Sequence, residues 1–178
     1  PVAKMHLLCE DDDVIGSAFY IMDHVNGRNF MDPRMPELDN AARGGVIDEM
    51  NRVLAALHDV DIDAVGLSDP YADLAAVIMQ WQMPAGTEGR GFGGVDRKAL
   101  GVPSDEEFIA RYCERRGLKG IDNFGFYLAF CFFRMAGIIQ GVLKRALDGN
   151  ASNPERAMKV GAYVPVFAAN GLKALERK

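Results

Sequence analysis

Cysteine, histidine and tryptophan are scarce in this chain: three, three and one among 178 residues. The cysteines (Cys9, Cys113, Cys131) are odd in number, lie far apart and show no Cys-x-x-Cys or Cys/His ligand spacing. That excludes a disulfide scaffold and a zinc module, and leaves buried free thiols in a reducing compartment as the plain expectation. An excess of positive charge is missing too. The net charge of −5 argues against non-specific nucleic-acid binding and against an anionic membrane surface as partner. No signal-peptide pattern opens the sequence, and no internal repeat or low-complexity tract stands out. The most apolar stretch, Phe124 to Leu143, has the length to cross a bilayer, but glycines break it and it holds Arg134 and Gln140. A buried core helix is expected there. The expectation is one soluble, cytoplasmic globular domain with no membrane partner.

What is present is a short β element followed by helical patterns. Met5 to Cys9 reads as a first strand, Glu10 to Asp13 as an acidic turn, and Val14 to Met22 as a returning strand that ends before the Asn26-Gly27 turn. The consecutive acids are expected to be a solvated hairpin loop rather than a metal site, because neighbouring loop carboxylates do not converge on one ion without further ligands. Two strands alone are marginal in water. The hairpin therefore needs a sheet, a helix face or a second copy pairing with its exposed edge.

Asp39 or Asn40 caps a predicted helix running to about His58, with Val46, Ile47, Met50, Val53, Leu54 and Leu57 as its apolar side. His58 is expected to be a packed residue at the helix end rather than a catalytic base. A second helix is predicted from about Ala72 to Gln82, with Leu74, Val77, Ile78 and Trp81 on one face. Gly89-Arg-Gly-Phe-Gly-Gly94 then matches G-x-G-x-x-G literally. A dinucleotide fingerprint needs a strand before it and a helix after it. Here a helix precedes and a loop follows, so a flexible loop is expected. Ser104-Asp-Glu-Glu107 is a capping box opening a helix to about Arg116. Asp122 or Asn123 caps the longest helix, which ends at Gly149 and spreads Phe124, Tyr127, Phe130, Phe132 and Phe133 over several faces, as a central helix would. Asn153-Pro154 starts a last helix, which Pro165 should kink.

Four segments, in order, carry a resemblance. They are Phe19-Tyr-Ile-Met-Asp-His-Val-Asn-Gly-Arg28, Asp48-Glu-Met-Asn-Arg-Val-Leu-Ala-Ala-Leu-His58, Asp69-Pro-Tyr-Ala-Asp-Leu-Ala75, and Phe126-Tyr-Leu-Ala-Phe130 continuing to Gln140-Gly-Val-Leu-Lys-Arg-Ala-Leu-Asp-Gly149. Together they resemble the aminoglycoside phosphotransferase-like family, in the bacterial branch related to the kinase-like domain fused to some acyl-CoA dehydrogenases. The resemblance implies an α+β, protein-kinase-like fold, mostly the helical C-terminal lobe with a short N-terminal β-hairpin and hinge. Residues 1–30 would be the remnant of the N-lobe sheet and hinge, and 31–178 the helical C-lobe.

Family members transfer phosphate from ATP with Mg²⁺, using a phosphate-covering loop, a Lys–Glu pair, a loop of the type H-G-D-x-x-x-x-N and a metal-binding Asp, mainly for positioning and charge neutralisation. None of these occurs in the sequence. The three histidines are His6, His24 and His58, and none is followed by Gly-Asp. The N-lobe parts are expected upstream of Pro1. The catalytic loop should fall between His58 and Asp69, an interval of about ten residues that is too short for it. An apparent missing segment is thus placed near 66–70.

By resemblance, Met22 would back the adenine pocket, and the Asp23 carbonyl and Val25 N–H would pair with the adenine edge, with His24 between them. Asp73 matches the acidic residue that supports the catalytic loop. Lacking that partner, it should be exposed or paired with a cation, since buried unpaired carboxylates are costly. Tyr127, Arg134 and Gln140 are weak candidates for acceptor binding, Arg134 having an internal acidic partner as the commoner alternative. No catalytic residue and no metal ligand is identified. The expected function is a portion of an ATP-dependent small-molecule phosphotransferase acting on a hydroxyl acceptor and inactive by itself. The alternative is a non-catalytic helical binding or interaction module of the same descent, with a homodimer as one form.

Overall fold

The computed structural model describes residues 3–60, 69–86 and 89–177. The described residues form two strands, β1 (Met5–Cys9) and β2 (Phe19–Met22). Six helices follow: α1 (Asn40–His58), α2 (Tyr71–Gln82), α3 (Asp105–Arg115), α4 (Phe124–Leu147), α5 (Pro154–Gly161) and α6 (Val164–Leu175). They fall into two compact units, Pro1–Met31 and Asp32–Lys178.

In the first unit β1 and β2 pair antiparallel, Leu8 opposite Tyr20 and Cys9 opposite Phe19, with an irregularity between Met5 and Leu7. The returning strand is shorter than Val14–Met22. Asp11 accepts a bond from the Asp13 N–H at 2.9 Å, and Gly16 takes φ +89° while its N–H reaches the Asp12 carbonyl at 2.7 Å. Those local bonds turn residues 10–18 away from the ladder, as aspartate and glycine do when they satisfy the backbone nearby. Leu7, Leu8, Tyr20, Ile21 and Met22 are all exposed.

In the second unit each helix start has a local cause. Asp39 accepts from the Ala42 N–H at 2.7 Å. Ser104 and Glu107 complete a reciprocal capping box, and Asn153 accepts from the Arg156 N–H at 3.0 Å with Pro154 next. Asn123 stands at the start of α4 in the left-handed region, φ 56°, without a capping bond from its side chain. Pro165 does not kink one helix. It sits in the first turn of a separate helix, α6, where a missing N–H costs nothing.

The solvent-free centre is Leu74, Ile78, Phe108, Tyr112, Leu128 and Phe132, from α2, α3 and α4. Trp81 meets Phe108 and Phe92 edge-on, with ring centroids 4.7 and 5.8 Å away. Helix α4 packs against α2, α5 and α6, yet it is not buried all round. Phe132 is inside, whereas Phe126, Phe130 and Phe133 are exposed.

Helix α1 departs furthest from its apolar pattern. Its buried line is Arg43, Ile47, Asn51, Ala55 and His58, while Met50 and Leu57 are exposed. Among the described residues no carboxylate pairs with Arg43. Its Nε donates to the Arg34 carbonyl at 2.6 Å, Nη1 to Asn40 Oδ1 and the Leu100 carbonyl, and Nη2 to the Met35 and Leu38 carbonyls. Five donors thus meet five neutral acceptors, joining the 34–38 loop, α1 and the 97–101 turn. Asn51 donates to the Phe108 carbonyl at 2.8 Å and accepts from Arg115, which also grips Asp48 at 2.7 Å. That bond set clamps α3 onto α1.

The glycine-rich loop is packed, not flexible. Phe92 N–H bonds the Trp81 carbonyl at 2.8 Å, Gly93 N–H the Met83 carbonyl at 2.8 Å, and Gln80 Nε2 the Gly89 carbonyl at 2.7 Å. A Cβ on Gly91 would stand 1.9 Å from the Met83 carbonyl oxygen. These glycines serve close approach to the end of α2, which is why the fingerprint spacing arises without a nucleotide.

Two substitutions test these contacts by urea denaturation. Arg43→Met should lower stability by about 3–5 kcal/mol, as expected when one side of a buried polar network is removed. A loss below about 1 kcal/mol would mean water replaces the guanidinium. Gly91→Ala should cost about 1–3 kcal/mol through overpacking, and a neutral result would show the loop can lift off α2.

Candidate functional site

The resemblance places its catalytic segment between the end of α1 and the start of α2, and the described residues flanking that gap form a polar cluster. At the end of α1, His58 is buried, with Nδ1 2.7 Å from the Tyr112 hydroxyl of α3 and Nε2 3.6 Å from Asp73 Oδ2 of α2. The arrangement balances when Tyr112 O–H donates to Nδ1 and the Nε2–H faces the Asp73 carboxylate. Burial pulls the His58 pKa down from its ordinary value, with Asp73 opposing and Arg116 assisting. Burial pushes Tyr112 up to about 12, so it stays a proton donor. One residue on, Asp59 pairs with Arg116 at 2.9 Å.

At the start of α2, Asp69 accepts from the Tyr71 N–H at 2.9 Å and from the Tyr127 hydroxyl at 2.5 Å. That second bond raises the Tyr127 pKa. The Tyr71 and Tyr127 rings meet edge-on at 5.7 Å. Asp69 and Asp73 lie at the α2 N-terminus, where the helix dipole favours carboxylates. The Asp73 side chain is 73% exposed. Cys131 donates to the Ala72 carbonyl, and burial raises the pKa of both Cys113 and Cys131. Those two thiols are inert packing groups.

Among the weak acceptor candidates only Tyr127 joins this cluster. Arg134 is exposed, and no carboxylate pairs with it among the described residues. Gln140 is exposed, and thirteen residues of helix turn it to the far side of α4 from Tyr127. Sequence reasoning passed over Asp59, Asp69, Tyr71, Tyr112 and Arg116. The signal for two of them was the Asp69-Pro-Tyr-Ala-Asp73 segment itself.

In the first unit the chain leaves β2 at Met22. Asp23 N–H is held by the Lys4 carbonyl at 2.9 Å, and the Asp23 carboxylate by His6 Nε2 at 2.5 Å. The Asp23 carbonyl and the Val25 N–H take no backbone bond among the described residues, and Met22, Asp23, His24 and Val25 are exposed. Of the expected gap near 66–70, residues 66–68 lie outside the described residues.

A lobe of helices stacked on α4 and a small antiparallel hairpin are the elements of a kinase-like phosphotransferase. The chain superposes with TM-score 0.89 on a crystal structure assigned as an aminoglycoside phosphotransferase from Ralstonia eutropha JMP134, at 30% identity, covering 99% of this chain and 78% of that one. A family model described as "Phosphotransferase enzyme family" matches residues 1–91. The chain belongs to that phosphotransferase family. It is also similar to mouse acyl-CoA dehydrogenase family member 10, 28% identical with 86% of this chain and 22% of the relative covered. To human acyl-CoA dehydrogenase family member 11 it is 26% identical, with 99% and 33% covered. It therefore spans between a fifth and a third of the length of these curated relatives. The human alignment runs over 261 positions against 178 residues here, so more than eighty positions of it have no residue of this chain.

The pH dependence of stability tests the cluster. His58 binds a proton less readily folded than unfolded, so the unfolded chain gains protons first as pH falls through 6.5. Stability should fall as the pH goes from about 7 to about 5, and His58→Gln should flatten that slope. An unchanged slope in the variant would remove His58 as its source.

Proposed function

We propose that this chain is a portion of an ATP-dependent phosphotransferase acting on a hydroxyl of a small-molecule acceptor, with Met22–Val25 as its adenine hinge. The observation behind this reading is the hydrogen-bond pattern past β2. The Asp23 N–H is committed to the ladder, while the Asp23 carbonyl and Val25 N–H take no backbone bond among the described residues. One acceptor and one donor two residues apart match the donor and acceptor of an adenine edge. His24, exposed between them, makes no demand on recognition through the backbone.

The residues present fit adenine and do not fit the rest of the nucleotide. The sequence has no H-G-D-x-x-x-x-N segment, and the glycine-rich loop at 89–94 is committed to α2. Among the described residues no three His, Cys, Asp or Glu side chains gather as a metal site. Asp73 is a positioning carboxylate in this reading, set beside His58 at the edge of the segment the relatives add, and it would bond that segment's backbone. Tyr127 and Arg134 would lie on the acceptor side. By itself the chain binds adenine weakly and transfers nothing.

The second reading, a non-catalytic helical module, is favoured by the bare apolar side of α4.

Amide NMR and a coupled ATP-consumption assay test the first reading together. Adding ATP should shift the Val25 amide, with the same shift when Mg²⁺ is omitted, and no ATP should be consumed. An unmoved Val25 amide at millimolar ATP removes the hinge. Sustained turnover by the purified chain overturns its assignment as incomplete.

A further inference from the structure

Helix α4 has a face that its own unit leaves bare. Phe126, Phe130 and Phe133 are 63%, 47% and 76% exposed, and beside them on α6 Leu172 and Leu175 are 70% and 59% exposed. Between the two helices runs an apolar groove of about 470 Å³, floored by Ala129, Phe167 and Gly171. With 150–250 Å² for a whole aromatic side chain, these five residues leave roughly 600 Å² of apolar surface open, the upper end for a monomer. Two such faces together remove about 1,200 Å², which reaches the range of specific protein interfaces.

We propose that this face is an isologous dimer interface, with α4 of a second copy lying antiparallel along the groove. The reason for a second copy is the shape of the face itself. At 100° per residue, Phe126, Phe130, Phe133, Gly137, Gly141 and Lys144 share one line along α4. Its first half is bulky, and its second half has no side chains at Gly137 and Gly141 before it ends in Lys144. A Cβ on Gly137 or Gly141 would meet nothing within 4 Å, so packing within this chain does not require glycine at either position.

A two-fold axis near Met135 and Ala136 lays one half of the line on the other. Phe133 then faces Gly137 of the second copy, and Phe130 faces its Gly141, where the absent side chains let the helices approach closely. Phe126 faces Lys144, whose ammonium is already held by Asp148 at 2.6 Å and whose stem can cover the ring. Arg134, turned about 40° from Phe130, reaches solvent at the rim. This interface is independent of the hinge reading and differs from pairing along the hairpin edge.

Sedimentation equilibrium of the purified chain should give a reversible dimer at micromolar concentration. Phe133→Glu and Gly137→Phe should each raise its dissociation constant by at least about thirtyfold, with an unchanged circular dichroism spectrum. In a Cys9→Ser background, mixing Phe133→Cys with Gly137→Cys protein under mild oxidation should give a covalent dimer that neither variant gives alone. A monomer at every concentration overturns the proposal. So does a dimer that both substitutions leave intact, or a mixture that yields no cross-link, because the contact then uses another face.

Discussion

Helix α1 turns a polar edge into the protein, and the rest of the helical unit is arranged to satisfy it. Arg43, Asn51 and His58 recur along one buried line, each facing a different neighbour. Arg43 draws in five oxygens from three segments, Asn51 takes a carbonyl of α3, and His58 meets a phenol of α3 and a carboxylate of α2. A buried polar group is tolerated only when its partners arrive with it. The position of α1 therefore fixes the 34–38 loop, the 97–101 turn, α3 and the start of α2 together. Apolar packing alone would accept neighbouring registers; this bond set accepts one.

A second polar knot does the same at the other end of α2. Asp105, in the first turn of α3, lies 2.8 Å from Arg97 and accepts from Gln82 at 2.7 Å, with Arg177 3.9 Å away. Arg97 also lies over the Trp81 ring at 5.5 Å. Buried ion pairs contribute little net stability, and their value lies in geometry. Here the cluster joins the end of α2, the start of α3 and the residues just past α6.

Most helix boundaries were legible in the sequence because their causes are local. Asp39, the Ser104–Glu107 box and Asn153-Pro154 each bond within three residues of themselves. The side facing inward was less legible. The period of Met50, Leu54 and Leu57 pointed to one face of α1, but the buried line was set by polar groups that each take a partner more than fifty residues away. Likewise the aromatics Phe124, Tyr127, Phe130, Phe132 and Phe133 looked like those of a core helix, though Phe130 and Phe133 face outward. Hydropathy records what a side chain would gain by burial, not whether a neighbour is there to bury it. The kinase-like relationship came from segment order, a different kind of information. The polar cluster at the ends of α1 and α2 could not be read locally, because α3, the Arg116 that caps it and α4 supply the partners Tyr112, Arg116 and Tyr127.

Asp59 is held by Arg116 and Asp69 by Tyr127, so both ends of the connection between α1 and α2 are fixed by bonds to other helices. The family resemblance puts the relatives' additional residues between these two anchors. The entropy of closing a loop grows only with the logarithm of its length, about 0.6 kcal/mol per doubling, so going from about ten residues to about ninety costs about 2 kcal/mol. A longer connection there need not disturb the helices around it. The two anchors thus make this junction a socket, one whose filling can change in length while the helical scaffold stays as it is.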